Sequence, residues 1–300
     1  MMNKWWLTGL AFSLAVISGC TYFGPCLDGS GPVISEQRGN VDFTGVVNTG
    51  SFDLYITRAD NFSVEVRAQE NLLPIIETYV SGSSLIVETE NDVCYRSGSP
   101  VEVHISMPET ELLRLTGSGR VFADVMDSPE AEISNSGSGY MEIGSTVAES
   151  FFVENSGSGS IEVDESVAGQ ADMIQSGSGT ILLGSLSGAG VVHIRHSSSG
   201  RISAVILDVA ELDIRLSGSG RVELGGYGEF GEYSLHSSGR IDAFDMEMAE
   251  VDATNSGSGD IYVWASDLLD ATITGSGDIV FMGNPAITSN ISGSGKLRAY

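Results

Sequence analysis

The run Ile133-Ser134-Asn135-Ser136-Gly137-Ser138-Gly139-Tyr140-Met141-Glu142-Ile143 decides how this chain folds, because most of the sequence is a variation on it. Its central Ser-Gly-Ser-Gly returns at residues 156–159, 176–179, 217–220, 256–259 and 292–295, with Thr in first place at 116–119 and 274–277. Shortened copies, Ser198-Ser199-Gly200 and Ser237-Ser238-Gly239, fill the two gaps. The last glycines of the copies are Gly119, Gly139, Gly159, Gly179, Gly200, Gly220, Gly239, Gly259, Gly277 and Gly295, spaced by 18 to 21 residues. A nearly fixed period in this range marks a stacked repeat architecture.

Two places after each of these glycines stands an apolar residue: Val121, Met141, Ile161, Ile181, Ile202, Val222, Ile241, Ile261, Ile279 and Leu297. The positions on either side are mostly polar or charged, and period two is the signature of a strand with one buried face. Six places before the glycine the residue is again apolar in most copies (Ile133, Val153, Met173, Ile194, Ile214), so a second strand enters each turn. Two short strands cannot bury an apolar face alone, but stacked copies can share one continuous core. Residues 111–300 are therefore expected to form an all-β solenoid, a right-handed single-stranded parallel β-helix of about ten coils. At about 4.8 Å per coil such a rod is on the order of 45 Å long. The ten glycines are its turn residues, expected there because glycine reaches φ > 0 without steric cost and because a side chain would collide with the next coil.

Composition bounds the rest. The chain has 38 Gly in 300 residues, yet its 41% hydrophobic fraction supports a core and argues against disorder. The net charge is −26. Nucleic acid is a poor partner for such a chain, since phosphate binding depends on Lys and Arg. Solubility, calcium, magnesium or a cationic surface are the readings left.

Residues 1–19 carry Lys4 and then the apolar run Leu7 to Ile17, too short to span a bilayer and the size of a signal-peptide core. The run ends in Ile17-Ser18-Gly19-Cys20, which resembles the lipobox of bacterial lipoproteins. That resemblance implies cleavage before Cys20, lipidation of its sulfur and new amino group, and stable attachment to a membrane. Thr21 in place of Asp is similar to lipoproteins sorted to the outer membrane. Export leaves Cys26 and Cys94 in an oxidising compartment, where an even pair favours a disulfide; two separate buried thiols are the alternative.

Residues 20–35, with Gly24, Pro25, Gly29, Gly31 and Pro32, read as a lipidated tether. Residues 36–110 are β-rich without the Ser-Gly period and are expected to supply irregular first coils that cap an otherwise open edge. Nothing after the leader has a helical period. The order Glu36-Gln37-Arg38, Phe43, Phe52 to Ile56, Val64 to Ala68, Asn71-Leu72-Leu73, Leu85-Ile86-Val87, Val101 to Met107 with Pro108, then Leu115 before Gly117-Ser118-Gly119, is similar to the putative auto-transporter adhesin, head GIN domain family. The resemblance covers most of residues 36–300 and implies a bacterial envelope protein with a β-solenoid fold and an adhesive or binding role. It carries over no catalytic or ligand residues.

Candidate sites are read by column. Asn135, Asn155, Gln175, His196 and Asn255, four places before the turn glycine, share the inward parity and read as a structural ladder bonding to neighbouring coils. His193 and His196 face opposite sides of a strand and, like His104 and His236, read as ordinary surface or core residues. Asp260 and Asp278 stack below Lys296, but the short Gly/Asp repeat of calcium-loaded β-rolls is absent. Glu142 and Glu162 stack beside Tyr140 as in a glycosidase pair. Coils of 18 to 21 residues leave no room for the projecting loops from which polysaccharide-cleaving β-helices build clefts. No cofactor, metal or catalytic set is therefore assigned. The candidate ligand surface is Arg201, Arg221 and Arg240, which follow the turn glycine in three consecutive coils with Arg195 and Arg215 nearby, together with Tyr262 and Trp264 on the outward parity. An adhesin-like, lipid-anchored binding module whose partner is a glycan or an envelope protein follows as the leading expectation, with an envelope assembly component next and a polysaccharide-active enzyme last.

Overall fold

The computed structural model describes residues 26–90 and 93–300, so the leader read over 1–19 and Cys20 lie outside the described residues. Among the described residues the only helical element is a 3-10 turn at Leu73–Ile75; all other regular elements are strands. Each repeat places one rung in each of two parallel stacks that flank the turn, and the residues between them, such as 145–148 and 165–168, register coil on coil as a third side. After the turn, Val121 pairs with Met141, then Ile161, Ile181, Ile202, Val222, Ile241, Ile261, Ile279 and Leu297. Before it, Ile133 pairs with Val153, then Met173, Ile194, Ile214, Tyr233, Ala253 and Ala271. This is the β-solenoid expected from the repeat, and both columns are buried down to Ile279. Burying one Ile or Val per rung is worth about 1.5–3 kcal/mol.

Several rungs are continuous strands of 16 residues, such as Tyr140–Asn155 and Ser160–Gln175, so a 20-residue coil is broken only by its Ser-Gly-Ser-Gly. Turn lies directly on turn. Ser158 N–H donates to Gly137 O at 3.0 Å, and Ser160 N–H to Gly139 O at 3.1 Å. That contact, and not backbone conformation, is why glycine stands here. None of the ten turn glycines has positive φ; among the described residues the glycines that do are Gly31, Gly82, Gly188, Gly226 and Gly283. A Cβ at Gly139, Gly159 or Gly179 would fall well inside 3.0 Å of the carbonyl oxygen of Gly119, Gly139 or Gly159. The first glycine of each turn is equally confined: a Cβ at Gly157 would strike the Gly137 oxygen.

The inward amides hold the corner chiefly within their own turn. Asn155 Nδ2 donates to Gly159 O at 2.8 Å while its Oδ1 accepts Gly157 N–H at 3.2 Å; a second bond reaches Thr180 O of the next coil at 3.2 Å. Asn135 and Asn255 repeat the pair of bonds to their own turns. His196 imitates the amide: its Nε2 lies 2.7 Å from Gly200 O, and its Nδ1 lies 3.3 Å from Ser198 N and 3.2 Å from Gln175 O. A neutral ring protonated on Nε2 accepts Ser198 N–H at Nδ1, whereas a charged ring would donate to Gln175 O instead. Burial accordingly lowers the His196 pKa, against the opposing pull of the Gly200 and Gln175 carbonyls.

The N-terminal portion departs from expectation in two ways. The tether is shorter than 20–35: Leu27–Asp28 already pairs with Tyr95–Arg96, and Val33–Arg38 runs antiparallel to Ser63–Gln69. A disulfide joins Cys26 to Cys94. The solenoid also begins earlier than the period suggests, because Asn48 bonds Gly50 N–H and Phe52 O as Asn135 does in its own turn, and Gly117 and Gly119 stack on Gly50 and Phe52. Space does not follow chain order here. Strands Gly45–Asn48 and Asp53–Arg58 lie between the outer pair Ser84–Thr89 and Glu102–Met107 and the coil that starts at Leu112. Antiparallel strands Ser63–Gln69 and Ile76–Ser81 close the outer end of the two stacks.

Candidate functional site

The residue immediately after each turn glycine has outward parity, and stacking turns this position into a column along one flank of the rod. It reads Glu102, Asp53, Arg120, Tyr140, Ser160, Thr180, Arg201, Arg221, Arg240, Asp260. Near its start a carboxylate adjoins the guanidinium: Asp53, almost buried, accepts both Arg120 Nε at 2.9 Å and Arg120 Nη2. No carboxylate of the column stands between Arg201, Arg221 and Arg240, which register on one another directly at about 4.8 Å.

Like charges so stacked repel. One carboxylate answers two of them: Glu223 Oε2 pairs with Arg201 Nη2, and Glu223 Oε1 with Arg221 Nη1 at 2.9 Å. Both arginines are about half exposed, so each pair is worth under about 1 kcal/mol. Arg240 has no ion pair among the described residues; its guanidinium lies over the Tyr262 ring, 4.7 Å from the centroid. The three arginines and the turn residues Ser199, Ser219 and Ser238 line one shallow groove.

The rest of the candidate surface divides. Tyr262 joins the arginines, but its ring carries Arg240 on one face and meets Phe244 edge-on with centroids 5.1 Å apart, so it is no free stacking platform. Trp264 is half-buried in another column, registered with Glu247 and Met282. Arg195 and Arg215 lie on the strands before the turn, outside the groove, and each faces an aspartate: Arg195 to Asp172 at 3.4 Å, Arg215 to Asp213 at 3.1 Å.

Other carboxylates are occupied. Tyr140 OH lies 2.6 Å from Glu162 and 3.2 Å from Glu142, with burial and these two bonds raising the phenol pKa. Asp260 and Asp278 each accept the backbone N–H of the next rung, from Asp278 at 2.9 Å and Lys296 at 2.8 Å. Asp252 is raised by burial and by Asp270 one rung away. Among the described residues no three His, Cys, Asp or Glu side chains are grouped to hold a metal ion.

Sequence reading missed an aromatic column at the other end of the rod, where Tyr55 stacks between His104 and Phe122 at centroid distances of 5.0 and 5.2 Å. The signal that could have revealed it is the Asn48 to Phe52 turn, which sets Tyr55 three places after the corner as Phe122 is in its own coil.

A family model described as "Putative auto-transporter adhesin, head GIN domain" matches residues 42–206 and again 183–285. Among solved structures the chain is similar to a "Putative lipid binding protein" from Parabacteroides distasonis, with 22% identity and a TM-score of 0.57 over 92% of this chain and 100% of that one. It is also similar to a "putative adhesin" from the same organism (20%, TM-score 0.52) and to one from Parabacteroides merdae (17%, TM-score 0.50), with the same coverage. At these identities the likeness speaks for the fold. A comparison with curated protein sequences finds no match.

Proposed function

The chain belongs to the auto-transporter adhesin, head GIN domain family, and from that premise we propose that it is a lipid-anchored, non-catalytic binding module of the bacterial cell envelope, held in the outer membrane through Cys20. The observation that carries this reading is the groove of Arg201, Arg221 and Arg240, a run of incompletely neutralised cations in a chain whose net charge is −26. Its walls are the turns, their serines and the three arginines, and coils of 18 to 21 residues carry no long loops around it, so the flank is shaped to hold a polymer and not to enclose a reaction. The carboxylates that could have formed a glycosidase pair, Glu142 and Glu162, share the Tyr140 hydroxyl instead.

The anchor fits this geometry. Five residues separate Cys20 from Cys26, a span of at most about 22 Å, and Cys26 is bonded to Cys94 beside the outermost coil. The membrane would then lie at the capped end, with the groove six to eight rungs away, about 30–40 Å along the rod. A contact with another envelope protein is favoured elsewhere: Val147, Val167 and Tyr227, all about half exposed, share a register column on the third side with Ser187 and Leu207 between them.

The test uses fatty-acid labelling of the intact precursor and a screen of the mature Cys20→Ser chain against glycans and envelope extracts. Label lost on Cys20→Ser, with saturable binding and no breakdown of the bound polymer, is the expected result. Labelling that persists overturns the anchor; cleavage of a bound polysaccharide, or binding to nothing in either set, overturns the binding-module reading.

A further inference from the structure

We infer that the groove binds a linear acidic polysaccharide, its carboxylate or sulfate groups held by Arg201, Arg221 and Arg240 and its hydroxyls by the turn serines beside them. This rests on the binding-module reading and names the ligand class. The column supplies its own comparison. Where it carries Arg120, an almost buried aspartate one rung away takes both guanidinium bonds. Where it carries three arginines in succession, one glutamate is shared between two and the third rests on an aromatic ring. The uncompensated repulsion is relieved by an external anion.

Guanidiniums recognise planar oxyanions through paired donors, and here three successive arginines line one groove over about 10 Å of rod. Ser199, Ser219 and Ser238 interleave hydroxyls with them, and Ser219 and Ser238 already lie within hydrogen-bond range of one another at 3.2 Å. Alternating charged forks and hydroxyls match a sugar polymer that carries acidic groups among hydroxyls. The acidic remainder of the rod discriminates against a broad anionic surface, since a bilayer would have to approach the whole flank of a −26 chain, and DNA offers its phosphates without the sugar hydroxyls that the turn serines would bind.

Binding of the mature Cys20→Ser chain is measured to polygalacturonate, dextran sulfate, neutral dextran, single-stranded DNA and phosphatidylglycerol vesicles, at low and physiological salt. The acidic polysaccharides are expected to bind in a salt-dependent manner and neutral dextran not at all. The triple Arg201→Gln, Arg221→Gln, Arg240→Gln variant should lose at least tenfold in affinity. Triple replacement by Lys, which keeps charge and removes the fork, should lose several-fold. Glu223→Gln removes the internal competitor and should bind several-fold more tightly, a gain that misfolding cannot imitate. Arg114→Gln, which faces Glu132 away from the groove, should leave affinity unchanged. The inference is overturned if the triple Gln variant binds as wild type, if Arg114→Gln weakens binding equally, or if vesicles or DNA bind more tightly than either polysaccharide. Failure of both acidic polymers with retained binding to a neutral glycan or an envelope extract sinks this inference and leaves the binding module standing, whereas binding to nothing in either screen sinks both.

Discussion

Replacing Gly159 by alanine isolates the reason for glycine at the turns. In the folded chain the new methyl would overlap Gly139 O and lie 2.6 Å from Asn135 Nδ2 and 2.9 Å from Ser138 C, two of the three obstacles being backbone that cannot rotate away. Relief requires the two turns to part, which stretches the bonds from Ser158, Gly159 and Ser160 N–H to Gly137 and Gly139 O, now 3.0, 3.2 and 3.1 Å. At about 0.5–1.5 kcal/mol each these sum to about 3 kcal/mol, in line with the 1–3 kcal/mol typical of overpacking. The less flexible unfolded chain returns about 0.4–1 kcal/mol, leaving a net loss of about 2 kcal/mol. Gly188→Ala provides the contrast. There φ is +77° but the methyl would find its nearest neighbours at 3.5 and 3.7 Å, so only the left-handed penalty of about 1–2 kcal/mol applies, less the same return. Gly39→Ala, with nothing within 4 Å and no positive φ, should be neutral or slightly stabilising. Urea unfolding followed by circular dichroism ranks the three by midpoint. Gly159→Ala at or above Gly188→Ala in stability would refute the stacking argument and restore backbone conformation as the cause.

His196 gives a pH dependence of definite sign. Its native pKa is depressed, so the unfolded chain binds the proton first, near pH 6.5, and stability falls as pH drops from there toward the native pKa, at up to about 1.4 kcal/mol per pH unit. His196→Gln, which puts the neighbouring Gln175 chemistry in its place, should flatten that part of the stability profile and change little at pH 8; an unchanged slope would show that the ring is not held neutral. The Cys26–Cys94 bond closes a separation of 68 residues and should contribute about 2–4 kcal/mol, read as the difference in urea midpoint between wild type and Cys94→Ser. Identical midpoints for the two proteins, or for the oxidised and reduced wild type, would mean the bond adds nothing to the fold.

What the amino-acid order determined by itself is whatever repeats at the coil period. Parity placed the apolar columns inward, and the period alone stacks Arg201, Arg221 and Arg240, because in a solenoid a sequence separation of about 20 is also the nearest spatial neighbour. Tertiary structure decided what depends on the distance between non-equivalent positions. It carried Arg195 and Arg215 to another side of the rod, gave one glutamate to two arginines, and laid Arg240 over Tyr262. It also threaded residues 45–58 between later strands, an order no local pattern encodes, since any coil with the right parity can stack on any other. Turn chemistry shows the division most plainly. The sequence announced glycine at every corner, but whether glycine is needed for its torsion angles or for its missing Cβ is settled only when one backbone lies about 4.8 Å from the next, and there the missing Cβ is what matters.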